Sequence, residues 1–369
     1  MTSQVLRSFL LALVALFSPL QAVSPPPLVE MAWRAALSPQ PEPPVGTPWV
    51  SDGRLFVLTT QIEAHSTSDG KLLWSVPVEK YLPRALLGAG ERVFVIESTI
   101  AALDVRTGRK LWEFTPDANA SFGRATVSGD RLYFGTVGAR LYALNPATGK
   151  KLWATDLGMD WKYNAVVRGV AVEGGTVFAA VEQWRSENGE ICSGWLIAVN
   201  AGDGTVLWRY HTGSGLERRG FSSSPVVSQE LVLAADYLDN AITAVDRRNG
   251  KEVWRFQGKK GYVGFPEAPL VAQGRVYAGS GDTHVYALEL ATGRRLWEMS
   301  ISSTVEAYAL CGKNLMINDQ GISVLDIDSG RLNRRFFQGG TEFPTSDFAA
   351  AGNRSYALGP QAIYAFACQ

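Results

Sequence analysis

The residues able to do chemistry are few and scattered. Three histidines, His65, His211 and His284, sit far apart with no metal-pair spacing, which argues against a zinc centre or a histidine-based catalytic site. No nucleophile elbow, P-loop or dinucleotide fingerprint occurs. Asp326-Ile327-Asp328-Ser329-Gly330 has the look of a calcium loop. It coincides with a turn that recurs along the chain, so the ordinary reading is structural. Three cysteines, Cys192, Cys311 and Cys368, allow one bridge with one thiol left over.

The remaining polar chemistry is that of recognition. Between positions 156 and 267, Trp161, Lys162, Tyr163, Trp184, Arg185, Arg218, Arg219, Phe221, Lys259, Lys260 and Tyr262 mix aromatic and basic side chains. That mixture is enriched at protein interfaces and their hot spots. The opposing reading is that some rings cover the ends of strands and the lysines are solvated.

What must position these residues is a repeat. One copy reads Ala102-Leu103-Asp104-Val105-Arg106-Thr107-Gly108-Arg109-Lys110-Leu111-Trp112, and related phrases end at Trp74, Trp153, Trp208, Trp254 and Trp297. A decayed copy has Ser329-Gly330 with Arg334 in the tryptophan position. The copies recur every 37 to 55 residues, which brackets the spacing of a four-stranded propeller blade. Each phrase is a β-hairpin with a glycine turn, and a second hairpin lies upstream of it. The last unit, from about Phe348 to Phe366, has three strands, whereas the segment around Trp33 reads as a strand with no hairpin before it.

The expectation is an all-β, eight-bladed propeller of four-stranded antiparallel blades, closed by the N-terminal strand around Trp33. Trp33, Trp74, Trp112, Trp153, Trp208, Trp254 and Trp297 would then pack between neighbouring blades; Trp49 and Trp195 also read as packing residues. Strand direction puts Cys311 and Cys368 at one end of the ring and Cys192 at the other, so a single bridge would join the first two. Otherwise each is a small buried residue. The strand-two-to-three turns and interblade links share one face, and the insertions on that face carry the aromatic and basic residues.

The phrase Tyr-Ala-Leu-Asn/Asp followed by Thr-Gly-Lys/Arg-x-Leu-Trp resembles the pyrroloquinoline-quinone-type propeller repeat. Over nearly the whole of residues 23–369 the chain is similar to the single-domain BamB family of outer-membrane assembly lipoproteins. That resemblance implies a non-enzymatic scaffold, without cofactor, that binds a protein partner in the cell envelope as a monomer within a complex. Quinoprotein dehydrogenases share the repeat, and for them it implies a quinone and calcium on the ring axis. They characteristically carry two adjacent cysteines against the cofactor, and no two cysteines are neighbours here. A third class is a propeller recognising envelope glycan or lipid headgroups with the same loops.

Composition bounds the compartment and the partners. Equal numbers of basic and acidic residues, 35 of each, argue against a nucleic-acid binder. Arg7, an apolar run from Phe9 to Phe17, and Leu20-Gln21-Ala22 make residues 1–22 a secretory signal peptide, with the mature chain exported. The apolar run is too short to span a bilayer. No cysteine follows it, so no N-terminal lipidation is expected.

Overall fold

Strands of two kinds alternate along the chain. Second and third strands, such as Leu231–Asp236 and Ala241–Asp246, are buried almost throughout, because each is covered on both faces by neighbouring sheets. Fourth strands, such as Leu72–Pro77, alternate exposed and half-buried residues. They are the outer edges. The computed structural model describes residues 29–39, 44, 47–77, 85–96, 98–117, 124–159, 163–185, 192–212, 220–259, 264–305, 307–337 and 348–368. Among these the strands form eight four-stranded antiparallel sheets. The expected segment 1–22 lies outside the described residues, and no helix among the described residues is long and apolar enough to cross a membrane.

Seven sheets are built from consecutive strands, and the eighth takes its outer strand from the start of the chain. Glu30–Ala36 pairs antiparallel with Ala362–Ala367, with Glu30 opposite Ala367 and Ala36 opposite Ala362. The ring of an all-β, eight-bladed propeller is thereby closed, leaving short edges on its rim.

A repeated contact joins the blades. The tryptophan of each fourth strand donates its indole N–H to a carbonyl in the next blade's turn: Trp33 to Thr67, Trp74 to Val105, Trp112 to Pro146, Trp153 to Ala201, Trp208 to Arg247, Trp254 to Leu290 and Trp297 to Ile327, at 2.9–3.2 Å. The ring lies flat on the turn glycine of that next blade. At Gly250, with φ +70°, a Cβ would sit 2.5 Å from the Trp208 ring, so the position requires glycine both for its backbone and for its bareness. A β-bulge in each third-to-fourth strand pair, such as that at Ala143/Leu144, sets the aim of the tryptophan. At three junctions the next blade's carbonyl also receives an Arg-x-Tyr pair from the second strand; the Ala201 carbonyl, for example, accepts from Arg131, Tyr133 and Trp153.

The junction between blades seven and eight departs from this. Arg334 stands in the tryptophan position, its guanidinium 4.5 Å from the Phe336 ring centroid, and donates to the Val29 carbonyl at 3.2 Å. Among the described residues no turn glycine faces it, because blade eight takes its fourth strand from the N-terminal part of the chain. Cys311, ending the first strand of blade seven, and Cys368, just after the third strand of blade eight, form a disulfide with Cα atoms 4.8 Å apart.

Candidate partner-binding face

Blade four rises above the others on the face that carries the interblade links. Its first three strands, Tyr163–Glu173, Thr176–Arg185 and Cys192–Asn200, run to 11, 10 and 9 residues, where most blades use three to six. The extra pairs run from Val181–Trp195 out to Trp184–Cys192. A register shift between Val167 and Gly169 throws Arg168 out of the ladder. Its guanidinium bonds the Glu182 carboxylate and lies 6.0 Å from the half-buried Trp184 ring centroid. Trp195 stacks on His211 with centroids 4.0 Å apart, and burial pushes the His211 imidazole below its ordinary pKa.

The links beside this sheet are tied at both ends. Residues 213–219 enter from Thr212, whose amide donates to the Gly194 carbonyl, and leave at Gly220, whose amide donates to Asp236 Oδ1. Asp236 Oδ1 also takes the amides of Leu238 and Asp239, while Oδ2 is buried without a hydrogen-bond partner. Burial pushes the Asp236 carboxyl up to about 6 against the opposing pull of those amides. The next link leaves at Lys259, whose amide donates to Asp282 Oδ2; Asn240 Nδ2 joins the same oxygen to the Lys259 carbonyl. Lys259 Nζ lies 2.8 Å from His284 Nε2, and His284 Nδ1 lies 2.9 Å from the Asp282 carbonyl. A carbonyl only accepts, so Nδ1 carries the proton and Nε2 accepts from the ammonium.

Of the eleven residues grouped by sequence, Trp161, Lys162, Arg218, Arg219, Lys260 and Tyr262 lie outside the described residues. The backbones of Tyr163 and Arg185 end the first two strands of blade four and pair with each other. Trp184 and Lys259 are placed as above. Phe221 is a correction: it is fully buried against Gly194 and the core between blades four and five, so it packs the base of the link and offers nothing to a partner. Its position where the chain re-enters the sheet, bridged to Asp236, explains the burial.

Sequence reasoning missed the ring axis. Arg124, before the first strand of blade three, and Glu267, before that of blade six, form an ion pair at 3.0 Å. They line a cavity of about 80 Å³ together with Thr47, Ala268, Ala307, Tyr308 and Phe348, and Tyr308 donates its hydroxyl to the Ala268 carbonyl at 2.5 Å. Pockets for small organic ligands span about 300–1,000 Å³, and this cavity is smaller. Among the described residues no group of three histidine, cysteine, aspartate or glutamate side chains can hold a metal ion.

Known proteins share this architecture. The chain is 26% identical over 262 residues to the outer membrane protein assembly factor BamB of Yersinia pestis, a match covering 65% of this chain and 62% of that one. It is 27% identical over 189 residues to the quinohemoprotein alcohol dehydrogenase ADH IIB of Pseudomonas putida, covering 46% of this chain but 27% of the enzyme. The crystal structure of BamB from Moraxella catarrhalis superposes with a TM-score of 0.68 at 16% identity, covering 92% of this chain and all of that one, and shows the common fold. The family model for the outer membrane protein assembly factor BamB matches residues 30–193 and 192–343. With its eight blades and its repeated tryptophan-on-glycine junctions, the chain belongs to the BamB family.

Proposed function

We propose that this protein is a non-enzymatic scaffold of the cell envelope, exported by residues 1–22, that binds a protein partner through the link face of blades four to six. The observation that carries this reading is the raised sheet of blade four, flanked by links whose ends are tied down by Gly194, Asp236 and Asp282. Tying down the ends of a loop lowers the entropy it loses on binding, which is how a recognition surface is prepared. Family membership supports a role in outer-membrane protein assembly. The axial ion pair and its small cavity weigh against the dehydrogenase alternative. The aromatic and basic composition of the face is the reason to test glycan and lipid binding alongside protein.

The test is cross-linking in native envelopes followed by affinity purification. Changing Trp161, Trp184 and Arg219 together to alanine should leave the melting curve unchanged and remove the protein cross-link. A cross-link of wild-type strength would eliminate this face as the binding site, and retention on purified envelope glycan would favour the glycan reading.

A further inference from the structure

Blade one buries an acid and a histidine in its third strand, and at the histidine's position the other blades are apolar. Counting from the alanine or valine opposite the fourth-strand tryptophan or its replacement, the next residue is Leu103, Leu144, Val199, Val245, Leu288, Leu325 or Phe366 in blades two to eight. In blade one it is His65, which is 1% exposed. Two residues before it stands Glu63, which has no exposure at all. Both alternate with Ala64 and share the side of the sheet that faces blade eight, where Leu55 and Val57 pack against Tyr356 and Ile363.

The hydrogen bonds fix the proton count. His65 Nδ1 lies 2.9 Å from the Gly70 carbonyl, which only accepts, so Nδ1 carries a hydrogen. His65 Nε2 lies 2.8 Å from Glu63 Oε2, a contact that also needs a hydrogen between its atoms. The pair therefore holds one proton more than a neutral imidazole beside a carboxylate, and the ionic form is imidazolium with carboxylate. Burial pushes the Glu63 carboxyl up, but the His65 contact and the nearby Ser38 outweigh it and leave the group below the ordinary carboxylate value.

The pair touches the seat of the closing strand. Ser38, just beyond Glu30–Ala36, lies beside Glu63, whose Oε1 is buried without a hydrogen-bond partner. Gly70, held by His65, is the turn on which Trp33 and Ala35 rest, with no room for a Cβ. The other charged or titratable groups around the pair are Asp69 and Lys71 in its turn, Arg54 on the adjacent strand, and Arg354 and Tyr356 of blade eight, which bond the Thr67 carbonyl.

We infer that Glu63 and His65 form a proton-dependent clasp that fastens the N-terminal strand and so closes the ring. Loss of the imidazolium proton to solvent as pH rises removes the hydrogen between the two side chains and leaves a buried carboxylate unneutralised. Protonation of Glu63 at strongly acidic pH removes the charge from the other side, so the clasp holds while His65 is protonated and Glu63 is ionised.

Hydrogen exchange of the purified protein between pH 5 and 9, corrected for intrinsic rates, tests this. Protection of Arg34–Ala36 should fall as pH rises, by up to about tenfold per pH unit, while that of Val177–Val181 in blade four stays constant. Glu63→Ala with His65→Leu copies blade two and should make the closing strand indifferent to pH. Should that variant fail to fold, Glu63→Gln supplies an amide donor to a neutral His65 and should do the same. Protection in the wild type that does not change with pH, pH dependence retained in the variants, or imidazole nitrogen shifts showing a neutral His65 in the protected state would each overturn the clasp.

Discussion

Seven junctions of the ring are sealed by a tryptophan lying on a glycine turn; the junction between blades seven and eight is sealed by Arg334 and a disulfide. The repeating seal needs a third-to-fourth strand turn in the blade that receives the ring. Blade eight has none, since its third and fourth strands come from opposite ends of the chain. A tryptophan at position 334 would have no bare glycine to lie on, whereas an arginine reaches the Val29 carbonyl with a charged donor and covers Phe336 with its plane. The covalent bond then ties the first strand of one blade to the third strand of the next, at the end of the ring away from the links. Where a packing motif is interrupted by topology, the chain substitutes a different chemistry at the same seam.

Replacing a repeating seal should have the largest effect. Trp254, the most buried of the seven at 8% exposure, should cost about 3–5 kcal/mol as Trp254→Ala, read by urea denaturation. Removing the exceptional seal by Cys311→Ser with Cys368→Ser opens a 57-residue loop and should cost about 2–4 kcal/mol, with added hydrogen exchange confined to blades seven and eight. An equal rise around the whole ring would show that the seams are not independent. Gly250→Ala, which forces a methyl against Trp208 at a left-handed backbone position, should cost about 1–3 kcal/mol. Arg334→Ala should be mildest, about 1 kcal/mol, because the disulfide still spans the seam. A larger loss there than for Trp254→Ala would reverse the proposed ranking of the two kinds of seal.

The architecture was legible because the sequence repeats its seams: the threonine-glycine turn and the tryptophan are the two halves of one contact, so each copy announces both a blade and its neighbour. Arg334 was visible as a break in that pattern, though not its reach to Val29. The binding face was less legible. Phe221 read as a surface aromatic because it follows Arg218 and Arg219, yet its backbone bridges to Asp236 and its ring turns inward. Arg124 and Glu267 lie 143 residues apart and meet only because the ring brings their blades to a common axis. His65 read as one of three scattered histidines, and its pairing with Glu63 emerges only when the blades are aligned by strand register.

The pairing of Glu30–Ala36 with Ala362–Ala367 also sets a timetable. A ribosome delivers the closing strand well before its mate. Throughout delivery the first strand waits with its backbone amides and carbonyls unpaired, a template for pairing with any other chain. A chain interrupted before Ala362 cannot form this pairing, so its first strand keeps an open edge that the native ring does not have.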